Sequence, residues 1–148
     1  MSFVDNDKEK LKLTFEYFRQ EISKYLKVYE NHSRREKNLK DLDDETLDKL
    51  ISLTITLKEN IRFLNDLFDK LQEFEHFFKY IEFLKEEDSK IERQILRLEA
   101  TWERLMNDNT IKAPDRKKGI DALYPKIELG FRKRRIIENI IKNCDVQI

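Results

Sequence analysis

From Asp44 to Glu86 the chain contains no glycine and no proline, and apolar residues recur along it at helical spacing. Leu64, Leu67, Leu71, Phe74, Phe78 and Ile81 alternate steps of three and four, which sets six large side chains on one face of an α-helix. Leu47, Leu50, Leu57 and Ile61 extend that stripe toward the N-terminus. Asp43 and Asp44 precede it, where carboxylates accept bonds from the free N–H groups of a helix start and complement its dipole. The pattern predicts one long central helix over about 44–86. Its segment Ile51–Leu57 reads ISLTITL, the strict alternation of a half-buried strand. No other stretch offers a partner strand, and helical periodicity resumes on both sides, so helix is predicted there too.

Upstream, Leu11, Phe15, Phe18, Ile22, Tyr25 and Tyr29 form a seam of coiled-coil type, which predicts a helix over 7–31. His32 and Glu36 would continue the seam with polar groups, so regular packing is expected to end there. Ser33 and Glu36 have capping-box spacing for a short restart before Leu39 and Leu42. Downstream, Asp88-Ser89-Lys90-Ile91-Glu92 offers a second capping box. Ile91, Ile95, Leu98, Trp102 and Leu105 then predict a helix over 89–106. Asn107 to Thr110 has turn chemistry, and Pro114 opens a short helix over 114–123 that Gly119 interrupts. Pro125 biases Tyr124 away from helix and separates off a basic helix over 126–143. Ile136, Ile137, Ile140, Ile141 and Cys144 line its apolar side, and Gly130 weakens its first turn.

The expected architecture is all-α: a single domain over 1–148, an elongated helical bundle of about four to five helices with a long central helix and a basic C-terminal one. Unbroken, the central helix would run about 63 Å at 1.5 Å per residue. A compact chain of this length has a diameter near roughly 40 Å, so either the helix breaks or the molecule is elongated.

Composition sharpens this picture. With 41% charged residues and only 2 glycines in 148, the chain suits helices better than sheets, which need turn residues. Aromatic residues at 11% argue against disorder. The longest uncharged run, Leu50–Leu57, is far short of the ~20 residues of a membrane span. The N-terminus MSFVDNDKEK lacks an apolar signal core. A single cysteine, Cys144, cannot form an internal disulfide, and an intracellular, cytoplasmic location is expected.

Chemistry-bearing motifs are sparse. Glu73-x-x-His76 is half of a carboxylate-bridged di-metal motif, but the other histidine, His32, has no partner at the matching offset. One cysteine and two scattered histidines cannot close a zinc site, and glycines only at 119 and 130 exclude a phosphate loop. No enzymatic activity, metal or cofactor is expected. The net charge is zero, yet residues 110–148 hold ten Lys or Arg against five acids. Arg132, Arg135, Asn139 and Lys142 step along one face, and Arg116, Lys117 and Lys118 could extend it as contacts to phosphates or an acidic partner. Lys126, Lys133 and Arg134 add to the field. Aromatic residues around Phe74 and Phe78 exceed one helix face, which marks Phe77, Tyr80 and Phe83 as candidate protein-interface residues.

The expected function is a helical interaction or assembly module, binding itself as a homodimer or larger assembly, or another protein, through aromatic and leucine-rich faces. The alternative is a nucleic-acid-associated helical protein, such as a small subunit of a nucleoprotein assembly, using the basic C-terminal segment.

Overall fold

The computed structural model describes residues 3–37 and 44–145, and these form four α-helices with no strand. They are α1 (Phe3–Lys37), α2 (Asp44–Leu71), α3 (Phe77–Asn107) and α4 (Ala113–Cys144). The all-α expectation holds, and ISLTITL is helical throughout. In helical register Thr54 and Leu57 turn inward, while Ile51, Leu53 and Ile55 remain exposed. None of the described helices is long and apolar enough to cross a membrane. The described residues divide into two compact units. The first holds those up to Tyr80 together with those from Lys142 onward, and the second spans Ile81–Ile141.

In the first unit α1 and α2 run antiparallel. Phe15 meets Phe68 with ring centroids 4.8 Å apart, and Lys58 sits over the Tyr29 ring at 5.7 Å. α1 continues past the predicted end at residue 31 through Lys37, so Ser33 lies inside a helix and starts no new one. The segment expected around Leu39 and Leu42 lies outside the described residues. Beyond the α1–α2 seam, the start of α3 and the end of α4 complete a core of Phe18, Leu64, Leu67, Leu71, Phe77, Tyr80 and Cys144. Two buried polar atoms, Asn60 Oδ1 and His32 Nδ1, have no hydrogen-bond partner among the described residues.

The predicted central helix breaks. α2 stops at Leu71 and α3 starts at Phe77, with a turn between them closed by bonds from Glu73 N to Lys70 O (3.0 Å) and Phe74 N to Leu71 O (3.2 Å). No glycine or proline causes this. Asp7 of α1 supplies the cap: its Oδ1 accepts from the Phe77 N–H at 2.6 Å, satisfying a donor that a helix start leaves open. The new helix also begins with a new phase. Phe77, Tyr80, Ile81 and Leu84 are buried, and Phe78, predicted on the inner face, is exposed.

In the second unit α3 and α4 form an antiparallel hairpin. α3 does not restart at Asp88, as the capping-box spacing suggested. Asp88 instead receives Arg134 Nε at 3.0 Å and Nη2 at 3.3 Å from α4. The turn between the helices is where it was expected. Asp108 Oδ1 accepts from Thr110 N at 2.9 Å and Thr110 Oγ1 at 2.6 Å, which holds its carboxyl below the usual range. Arg116 donates to the carbonyls of Leu105 (2.9 Å) and Asp108 (2.8 Å) and so closes the end of α3.

α4 is one helix, not the predicted short helix followed by a basic one; Gly119 and Pro125 lie inside it. The glycines serve close approach rather than interruption. A Cβ at Gly119 would stand 2.7 Å from Leu105 Cδ1, and one at Gly130 would stand 2.7 Å from Ile95 Cγ1. Pro125 removes one backbone donor, a cost of about 3 kcal/mol in a helix interior, and packing along both halves of α4 carries the helix through it.

Candidate interaction surfaces

The aromatic residues predicted to face a partner are mostly internal. Phe77 is 3% exposed and Tyr80 0%. The Tyr80 hydroxyl donates to Leu67 O at 2.7 Å, and its ring lies 5.4 Å from Phe74 and 6.5 Å from Phe18. Lys10 stands 5.4 Å from the Phe77 ring centroid. Both residues belong to the first unit's own core, which corrects the expectation; the break before Phe77 rotated them inward. Phe83 is half-buried and belongs to the second unit.

Cys144 is buried in the same core as Tyr80. Burial pushes its thiol up to about 11, with a hydrogen bond to Thr14 opposing the rise. Tyr17 is raised to about 12 by burial, then by Glu21 and Cys144. A thiol so held is protonated at neutral pH and acts as packing, not as a nucleophile. The half-motif of Glu73 and His76 is also divided between other partners. Glu73 pairs with Lys70 at 2.8 Å and His76 Nδ1 lies 2.9 Å from Asp7 Oδ2. Among the described residues no group of three or more His, Cys, Asp or Glu is placed to hold a metal.

The six predicted basic contacts do not act as one row. Arg116 is occupied with the carbonyls at the end of α3. Arg132 pairs with Glu128 at 3.0 Å. Lys117, Lys118 and Arg135 are exposed on α4 and form no ion pair among the described residues. Lys117 and Arg135 share a face, but five turns separate them, about 27 Å along the axis. Lys142, also exposed, belongs to the first unit.

Two open surfaces flank the α3–α4 hairpin. On one flank of the seam Ile91, Ile95, Leu98 and Leu129 form the floor of a groove deepened by Gly130, with Gln94, Arg97, Lys126 and Lys133 around it. On the opposite flank Trp102, Tyr124 and Ile127 line a hollow with Glu99 and Glu103. The Trp102 and Tyr124 rings are 6.4 Å apart. Helical phase puts Leu96 beside Glu99 and Glu103, and Phe131 on the face of Tyr124. Leu96, Tyr124 and Phe131 are 59%, 58% and 50% exposed. Sequence reasoning missed this surface. Tyr124 and Phe131 are seven residues apart, two helical turns, but reading Pro125 as a boundary assigned them to different segments. The first unit has an open hollow of its own, in which Leu26, Tyr29 and Ile61 lie between Lys58, Arg62 and Asp66.

Compared with protein-family models, with curated proteins and with solved structures, the chain has no match.

Proposed function

We propose that the chain is a non-enzymatic helical interaction and assembly module of the cell interior, completed by protein that packs on the open faces of its α3–α4 hairpin. One observation carries this reading: large apolar side chains, Leu96, Tyr124 and Phe131, stand exposed on a unit only two helices thick. Two antiparallel helices cover each other along one stripe, and a helix apolar beyond that stripe calls for cover on a second side. Side chains of this size on an open face are those that dominate binding energy once desolvated.

The test is capture of protein by the tagged full chain in its own cell, comparing it with a Tyr124→Lys, Phe131→Lys variant. The reading expects a stoichiometric protein, another copy or a different chain, held by the parent and lost from the variant. Equal recovery from both overturns it.

The alternative, association with nucleic acid, draws on fewer residues than the sequence offered, since Arg116 and Arg132 have internal partners. Lys117, Lys118 and Arg135 support it. Binding of unspecific DNA or RNA that falls steeply with salt and is lost on replacing these three would favour it.

A further inference from the structure

The two flanks of the hairpin differ in charge as well as position. Arg97, Lys126 and Lys133 stand around the Ile91–Ile95–Leu98–Leu129 floor, and no carboxylate lines that groove. Glu99 and Glu103 stand around Trp102 and Tyr124, and no Lys or Arg lines that hollow. Both flanks are apolar at the centre and charged at the edge, with opposite signs. We infer that they are the two halves of one heterologous contact, through which successive copies of this chain join, basic flank to acidic flank. The inference rests on the interaction-module reading and names the partner as a second copy.

Complementarity within one hairpin favours this occupant over a foreign one. The acidic flank supplies what the basic groove lacks: carboxylates for Arg97 and Lys126, and the exposed Leu96 and Phe131 to cover its apolar floor. A symmetric dimer formed through either flank alone would set that flank on its own copy and oppose like charges at the rim. Joining unlike flanks leaves one of each free at the ends of every dimer. Such a contact does not stop at two copies; it continues into a chain or closes into a ring.

Sedimentation of the full chain over a wide concentration range tests it, using two charge-reversed variants, Arg97→Glu with Lys126→Glu, and Glu99→Lys with Glu103→Lys. All four residues are exposed and form no ion pair among the described residues, so circular dichroism should match the parent. The parent should grow past the mass of a dimer, and less so as salt rises. Each variant alone should associate at least about tenfold more weakly, because like charges then face each other. Mixing the two variants should restore association, since every basic flank again meets an acidic one. A mass that stops at a dimer, or variants that associate like the parent, overturns the inference. So does a parent that remains monomeric. If that monomer still captures a different protein through Tyr124 and Phe131, the interaction-module reading survives alone; if it captures none, both fall.

Discussion

Asp7 caps a helix that begins seventy residues downstream: its Oδ1 accepts the Phe77 N–H at 2.6 Å, and its Oδ2 lies 2.9 Å from His76 Nδ1. No local signal marks α3 as starting there. The cap is tertiary, and it holds α1 against the break that separates α2 from α3. Replacing Asp7 by alanine should lower stability by about 1–2 kcal/mol, the usual cost of losing an N-cap acceptor. Asp7→Asn retains one acceptor oxygen and should lose less. Urea unfolding of the three proteins, read by helical circular dichroism, measures the order.

Cys144 ties stability to alkaline pH. Its folded value of about 11 lies above the ordinary 9.0, so the unfolded chain loses the proton first. The contribution is therefore fully present below about pH 9 and disappears as pH rises toward about 11. Tyr17, raised from 10.0 to about 12, extends the decline upward by the same logic. Melting temperature should fall across this window. A Cys144→Ala variant, though less stable throughout, should fall less steeply between pH 9 and 11; parallel curves would exclude the thiol as the cause.

The two glycines of α4 should respond differently to alanine. Alanine gains about 1 kcal/mol over glycine in a helix interior. At Gly119 the new methyl meets the terminal Leu105 Cδ1, which can rotate away on a half-buried side chain, so Gly119→Ala should be neutral or stabilising. At Gly130 it meets Cγ1 of buried, β-branched Ile95, with Cδ1 at 3.0 Å. Overpacking of that kind costs about 1–3 kcal/mol, so Gly130→Ala should be neutral to destabilising by about 2 kcal/mol. Thermal unfolding of the pair measures the difference.

Arg116 distinguishes structural from binding use of the basic segment. Replacing it by alanine removes two bonds to the carbonyls of Leu105 and Asp108 and should cost about 1–3 kcal/mol. Arg116→Lys should recover little of this, because a single ammonium does not reproduce the guanidinium fork. Replacing Lys117 and Lys118 by alanine should leave unfolding nearly unchanged, within about 0.5 kcal/mol for exposed positions.

Much of the fold was legible as pattern. The seam of α1, the start of α2 at Asp44, the turn at Asn107 to Thr110, and the inward face of Ile91 and Ile95 follow from residue spacing, because a helix repeats every 3.6 residues wherever it forms. The all-α class and the helical state of ISLTITL follow from the absence of any partner strand. Where helices stop was less legible. Ser33 and Asp88 have capping spacing yet sit inside helices, and Gly119 and Pro125 interrupt nothing.

The sequence by itself determined that the chain is helical and which residues are apolar enough to need cover. Tertiary structure decided which side of each helix receives it. Asp7 ended the long central stretch and reset its phase, so Phe77 and Tyr80, read as a surface, became core, and Phe78 became exposed. Closeness of α3 and α4 at Gly119 and Gly130 kept α4 whole, and that continuity put Tyr124 and Phe131 together on an open face. The physical reason is range. Periodicity is a local property of backbone geometry, while caps and close approaches depend on residues far apart in the chain.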